Sequence, residues 1–245
     1  MILPADIIEA PAIQKDLAVR LTKLSKSIDE RLVLRQIDLE IECGGYVALL
    51  GANGAGKSTL LKIIATLTPP TCGEVNLFGR ALAGNGVELR RRIGFISHAS
   101  MLYRDLSAKE NLEFYAKLYG LENPTRRARQ MLEMAGLASR ANDPIKTFSR
   151  GMVQRAAIAR ALLHDPQLVL ADEPYSGLDA PSIASLELLF ADLSSAGKTI
   201  ILVNHDIEQS LRLAERAVIL RGGRIVVNEP VYRLYPREVL AEVSG

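Results

Sequence analysis

The chain has 245 residues, 48% of them hydrophobic, enough to bury a packed core without disulfide or metal staples. Its 30 basic and 28 acidic side chains leave a net charge of +2, which excludes nucleic-acid binding driven by bulk charge alone. The two cysteines, Cys43 and Cys72, stand far apart with no CxxC spacing and no histidine beside them, so neither a zinc site nor a disulfide framework is expected and a reducing cytosol fits best.

The opening stretch, MILPADIIEAPAIQ, lacks a basic n-region and a long apolar h-region and reads as an irregular arm. No later apolar run approaches the roughly 20 residues that span a bilayer. No direct membrane insertion is therefore expected, and membrane contact should pass through another polypeptide. A first strand is predicted over 17–24, where Leu17, Val19 and Leu21 alternate with Ala18, Arg20 and Thr22, and a second around Ile37, Leu39 and Ile41. Tyr46 to Leu50 (YVALL) is short, apolar and followed by glycine, the signature of a strand buried on both faces. Lys57 to Leu67 carries Leu60, Leu61, Ile63, Ile64 and Leu67 at helical spacing until Thr68-Pro69-Pro70 stops it.

Strands follow at Glu74 to Phe78 and Ile93 to Ile96, after which the pattern turns helical: Ala108 to Tyr119, Arg126 to Ala135 and Val153 to Leu163. The α/β character returns with a buried strand Leu168 to Ala171, a helix Ile183 to Ser195 and a strand Thr199 to Val203. A helix Ile207 to Ala214, strands Arg216 to Leu220 and Arg224 to Val227, and a polar tail complete the chain. With no internal repeat, the expectation is one α/β domain over 1–245: a core of about 17–97 and 166–245, interrupted by a helical subdomain of about 98–165.

Between YVALL and its helix lies Gly51-Ala52-Asn53-Gly54-Ala55-Gly56-Lys57-Ser58-Thr59, which fits the phosphate-binding loop GxxxxGK[ST] in its required strand-to-helix setting. Glycines let successive backbone N–H groups turn inward, Lys57 supplies a charge for the β and γ phosphates, and the helix N-terminus adds its dipole. Ser58 offers a hydroxyl to Mg²⁺. LVLA-Asp172-Glu173 sets two carboxylates at the end of a buried strand, where the ligand crevice of an open α/β sheet lies. Asp172 is the candidate for Mg²⁺ and Glu173 for orienting or deprotonating the attacking water. Ser149-Arg150-Gly151-Met152 puts a serine and a glycine at a helix N-terminus, where serine is first of all an N-cap.

The order GANGAGKST, FSRGMVQR, LVLADEP, SGLD and NHD resembles the ATP-binding cassette (ABC) family over residues 17–227. The resemblance implies a P-loop ATPase fold with a mixed β-sheet core, an inserted α-helical subdomain and an N-terminal antiparallel β subdomain, with ATP and Mg²⁺ as cofactors. It implies further that two cassettes pair head to tail. Ser149, Gly151 and Met152 would then act in trans, with Ser176 to Asp179 communicating across the interface and His205, just after TIILV, contacting the γ-phosphate. Partners would be integral membrane permease subunits and a second copy of the chain, at the cytoplasmic face of the membrane, with no nucleic acid.

Four positions depart from the family's pattern. Arg150 and Met152 stand where glycine and glutamine are usual. Ile28 falls where an aromatic ring usually stacks on adenine, and it can offer only apolar contact. His98 replaces a glutamine that offers Mg²⁺ a hard oxygen; imidazole nitrogen suits softer metals, so His98 is expected to reach the metal through water or to sense the γ-phosphate. The stretch IGFISHASMLYRDLSAKENLEFYAKLYGL resembles the ATPases of haem exporters in cytochrome c biogenesis, and drug or multidrug exporter ATPases share much of it. A soluble repair or ribosome-acting ATPase is disfavoured, because the chain has neither a long heptad insertion nor a second cassette. A GTPase is disfavoured by the absence of NKxD.

Overall fold

The structure, a computed structural model, describes residues 16–97 and 99–244. Strands β1 (Leu17–Ile28) and β2 (Arg31–Glu42) form a long hairpin. Its two-residue turn is Asp29 and Glu30, both in the left-handed region (φ 45° and 62°), the geometry whose twist matches paired strands. The first strand runs past the expected Leu24 because Lys23 (φ 48°) breaks the alternation at a register shift without ending the pairing. With β4 (Cys72–Leu77) and β5 (Arg80–Ala81) the hairpin makes a four-stranded antiparallel sheet of order β2-β1-β4-β5. Here β3 is Tyr46–Gly51, the first strand of a second sheet.

That second sheet has six strands in the order β10-β9-β3-β8-β7-β6. Its members besides β3 are β6 (Ile93–Ile96), β7 (Leu168–Asp172), β8 (Thr199–Val203), β9 (Arg216–Arg221) and β10 (Arg224–Pro230). All neighbours run parallel except β10, which turns back antiparallel to β9, so the sheet is mixed. The apolar runs of β3, β7 and β8 are buried residue by residue because both faces of the sheet are covered. Alternate residues feed opposite cores: Tyr46, Ala48 and Leu50 pack with the helices, whereas Val47 and Leu49 pack towards the antiparallel sheet.

Helix α1 (Lys57–Ile64) follows β3 and ends at Ala65 and Thr66 (φ 62°), short of the expected Leu67. A short α2 (Gly86–Arg90) precedes β6. Three helices follow: α3 (Ala108–Leu118), α4 (Pro124–Met134) and α5 (Arg150–Leu162). Ser107 and Glu110 close a reciprocal capping box at the start of α3, and Pro124 opens α4, so both helices start where the backbone chemistry favours it. Helices α6 (Ala180–Ser195) and α7 (Ile207–Leu213) are capped by Asp179 and Asp206.

The polar tail expected at the C-terminus is instead helix α8 (Pro236–Ser244). It docks against β3 and β9 and buries Val239 to 1% exposure. Only Val239 is buried outright and Val243 packs partly against the core, a stripe too narrow to give a strong periodic signal; the docking surface supplies the rest.

Candidate active site

The carboxyl ends of β3, β7 and β8 lie side by side, and the phosphate loop, Asp172-Glu173 and Asn204-His205 leave the sheet there. This is the edge where open α/β sheets bind ligands. Gly51 ends β3 at φ 146°, with a Cβ at that position only 2.2 Å from the Leu220 carbonyl oxygen, so any side chain would collide with backbone. Gly56 (φ 107°) begins α1 without a side-chain cap, leaving the first N–H groups of the helix directed at the loop's interior. Ala55 is buried, its N–H donating to the Ala52 carbonyl to close the turn, while Asn53 and Gly54 are exposed at the tip.

Lys57 is 7% exposed and curls back into this loop: its ammonium donates to the carbonyls of Gly51 (2.6 Å) and Ala52 (2.9 Å). Burial holds its pKa below the ordinary lysine value, opposed by the charges of Glu173 and Asp172. The Ser58 hydroxyl lies beside the Asp172 carboxylate. Burial raises the Asp172 pKa, with the Ser58 hydrogen bond working against it and the Glu173 charge adding to it. Asp172 is 7% exposed and its Oδ1 has no hydrogen-bond partner among the described residues.

An orphaned carboxylate oxygen beside a hydroxyl is a hard-oxygen pair that fits Mg²⁺, which is usually held by one or two carboxylates, waters and substrate phosphates. No cluster of three or more His, Cys, Asp and Glu able to hold a metal occurs among the described residues. His98, the third residue expected near the metal, lies outside the described residues.

Glu173 adopts φ 53°, uncommon for a non-glycine residue, and its N–H donates to the Val203 carbonyl at 2.9 Å, extending the β7–β8 pairing by one residue. That conformation turns its carboxylate to His205: Oε1 and Nε2 are 2.8 Å apart. The backbone N–H of His205 donates to Asn204 Oδ1 at 2.9 Å.

Ile28, Arg31, Leu32, Val33 and Arg35 of the hairpin, with Asn53, Gly54, Gly56, Lys57, Ser58, Thr59 and Glu173, line a cleft of about 420 Å³. Gly222 and Gly223, in the β9–β10 turn, complete it. Arg35 N–H donates to the Gly223 carbonyl (2.8 Å), which brings that turn to the rim. A larger cleft of about 780 Å³ lies among Arg20, Glu40, Phe78 and Arg92, away from the phosphate loop, and holds none of this chemistry. Sequence reasoning found Ile28 but missed Arg31 and Arg35, whose guanidinium groups pair with no acidic side chain among the described residues. The two arginines sit beyond the turn on a strand that no loop motif marks, so only the folded hairpin brings them to the phosphate loop.

Ser149 caps α5, its Oγ accepting from the Met152 N–H at 3.3 Å. Met152 is half-buried against the chain's own helical core, and Gly151 lies against the Gly177 carbonyl. Asp179 caps α6 by accepting from the Ser182 N–H (3.0 Å), and hydrogen bonds from Ser182 hold its pKa below the ordinary carboxylate value. None of Ser149, Gly151, Met152 and Asp179 lines the cleft at the phosphate loop of the same chain.

The family profile described as ABC transporter matches residues 34–176. The Nod factor export ATP-binding protein I of Sinorhizobium fredii (strain NBRC 101917 / NGR234) is 34% identical over 234 residues, spanning 94% of this chain and 68% of that protein. The ABC transporter ATP-binding protein NatA of Bacillus subtilis (strain 168) is 35% identical over 208 residues, 84% of this chain and 85% of that protein. Among solved structures, the ATP-binding cassette MJ0796, a dimer in a post-hydrolysis state bound to ADP and Pi, superimposes with a TM-score of 0.80 at 34% identity, covering 87% of this chain and 98% of that one.

Proposed function

Since the chain belongs to the ABC transporter family of ATPases, we propose that it couples ATP hydrolysis to a separate membrane permease, two copies closing head to tail over two nucleotides. The observation that carries this reading is the convergence of Lys57, Ser58, Asp172, Glu173 and His205 at the ends of three neighbouring strands. The Lys57 ammonium exchanges the carbonyls of Gly51 and Ala52 for the β and γ phosphate oxygens, and the uncapped N–H groups of α1 complete the cradle. Ser58 and Asp172 would hold Mg²⁺, which supplies charge neutralisation on those oxygens. Glu173 takes the proton of the attacking water, and His205, held 2.8 Å from it, donates towards the γ-phosphate.

Ser149 and Gly151 lie outside the cleft of their own chain, which supports their acting on the nucleotide of a second copy. The permease-facing surface we assign to the segment after residue 98 and to α3. Met101, Tyr103, Leu106, Phe114 and Leu118 are all exposed there, and Tyr103 stacks edge-on against Phe114; exposed apolar side chains of this kind mark docking faces. Among the described residues no helix is long and apolar enough to cross a membrane; in this reading the chain meets the permease through that face.

The test is Glu173→Gln, which blocks hydrolysis while leaving the binding groups in place. With saturating ATP and Mg²⁺ it should elute as a dimer on sizing; a monomer at every nucleotide concentration would count against the sandwich.

For the cargo, the relative named for Nod factor export supports an exporter. Haem export rests on the resemblance of the FISHASMLY and FYAKLYG stretches. A mild-detergent pull-down of the chain from its native membranes, with mass identification and an absorbance scan, separates the two. Recovery of cytochrome c maturation permeases with a haem Soret band supports haem; recovery of another permease without it removes haem and keeps the transporter.

A further inference from the structure

Arg150 opens α5 one residue after the capping Ser149. Its Nη2 donates to Ser176 Oγ at 2.8 Å. Its aliphatic stem lies over Gly177 (φ 79°), where a Cβ would come within 2.7 Å of Arg150 Cδ and Nε. Beneath the stem, Gly151 closes on the Gly177 carbonyl, which an added Cβ would meet at 3.4 Å. One turn further on, the buried Gln154 donates to the Pro174 carbonyl at 2.9 Å. The start of α5 therefore grips the loop that leads from Glu173 to Asp179 at three successive points.

We propose that Arg150 is a positioning residue: it straps the Ser176-Gly177 loop to the start of α5, so that Glu173 and the Ser149-Gly151 edge move as one body. This rests on the two-copy reading above, in which Glu173 serves the chain's own nucleotide and Ser149-Gly151 the partner's. A Ser-Gly loop left to itself samples many backbone states, and misplacing a catalytic carboxylate by a fraction of an ångström slows chemistry without weakening phosphate binding. The guanidinium spans the gap because its planar fork can donate to Ser176 while its stem covers a glycine that has no side chain of its own. The strap is solvent-exposed in a single copy, so it contributes little to folding.

The test is a double-mutant cycle of Arg150→Ala and Ser176→Ala, reading steady-state ATPase activity, ATP affinity by equilibrium titration and thermal unfolding. Each single variant is expected to lower kcat roughly tenfold, the loss that follows from one charge-assisted hydrogen bond. The double variant should lose no more than either single one. ATP affinity should stay within about twofold and Tm within about 2 °C of the wild type, as for a surface change. Arg150→Lys, which keeps a donor, should recover part of the rate.

Unchanged kcat in Arg150→Ala overturns the proposal, and so does a fall in ATP affinity that matches the fall in kcat. Losses that multiply in the double variant also overturn it, by showing that Arg150 acts other than through Ser176. A Glu173→Gln chain that stays monomeric on sizing at every ATP and Mg²⁺ concentration would instead sink the two-copy reading, whatever Arg150 does.

Discussion

Glu173 adopts a left-handed backbone conformation at φ 53° that costs about 1 kcal/mol or more in a non-glycine residue. The β7–β8 pairing holds it there, and its reward is a carboxylate 2.8 Å from His205. Ile28 poses the opposite case, a position where local chemistry is weaker than the site could use. It is 45% exposed at the cleft and offers a nucleobase no π-face. Stacking of a base on an aromatic side chain is worth about 1–3 kcal/mol. Ile28→Tyr should therefore tighten ATP binding at least about fivefold, while the wild type binds ATP and GTP within about threefold of each other. Competition titrations with both nucleotides check this; equal ATP affinity in wild type and variant would mean that the base does not lie against Ile28.

At the scale of elements, the helical segment is tied to the sheet through a buried cluster behind the site. His164, in the turn after α5, stacks on Tyr119 just past α3 (3.9 Å between ring centroids), and its Nε2 is 3.0 Å from the Ile93 carbonyl at the start of β6. Its Nδ1 is buried without a partner among the described residues, so the ring sits as the neutral tautomer donating from Nε2. Burial pushes its pKa down to about 4, with the Ile93 carbonyl and Asp165 opposing and Arg160 and Arg127 adding to the fall. The folded chain therefore takes this proton only near pH 4, whereas the unfolded chain takes it near 6.5. Its contribution is complete above pH 6.5 and is lost as pH falls towards 4, about 2 kcal/mol by pH 5. Urea midpoints at pH 7 and pH 5 should separate less in His164→Gln, which keeps a donor for Ile93, than in the wild type; identical separations would remove His164 as the cause.

Nearby, the buried Arg160 on α5 donates to the Phe95 carbonyl at 2.6 Å, and Gly94 lets β6 approach α5, since a Cβ there would lie 2.6 Å from the Ala161 carbonyl oxygen. Helix and strand thus meet through backbone at the start of β6.

Across the whole molecule, what was legible in the sequence is what depends on neighbours in the chain. Burial on both faces requires an unbroken apolar run, so YVALL, LVLA and TIILV were recognisable as β3, β7 and β8. Phosphate binding requires a glycine loop between strand and helix, so residues 51–59 were recognisable as the loop that joins β3 to α1. The P-loop fold and the ATPase activity followed from the order of such stations.

Tertiary structure alone decided whatever joins distant segments. Arg31 and Arg35 reach the cleft only because a turn of two left-handed residues folds β2 back beside the phosphate loop. Arg150 finds Ser176 because α5 packs beside the loop leaving β7, and α8 is a helix because β3 and β9 give Val239 somewhere to go. A local pattern can encode backbone conformation and burial, since both act within a few residues. Which surfaces meet is set by the summed packing of the two cores, which no single stretch of the chain contains.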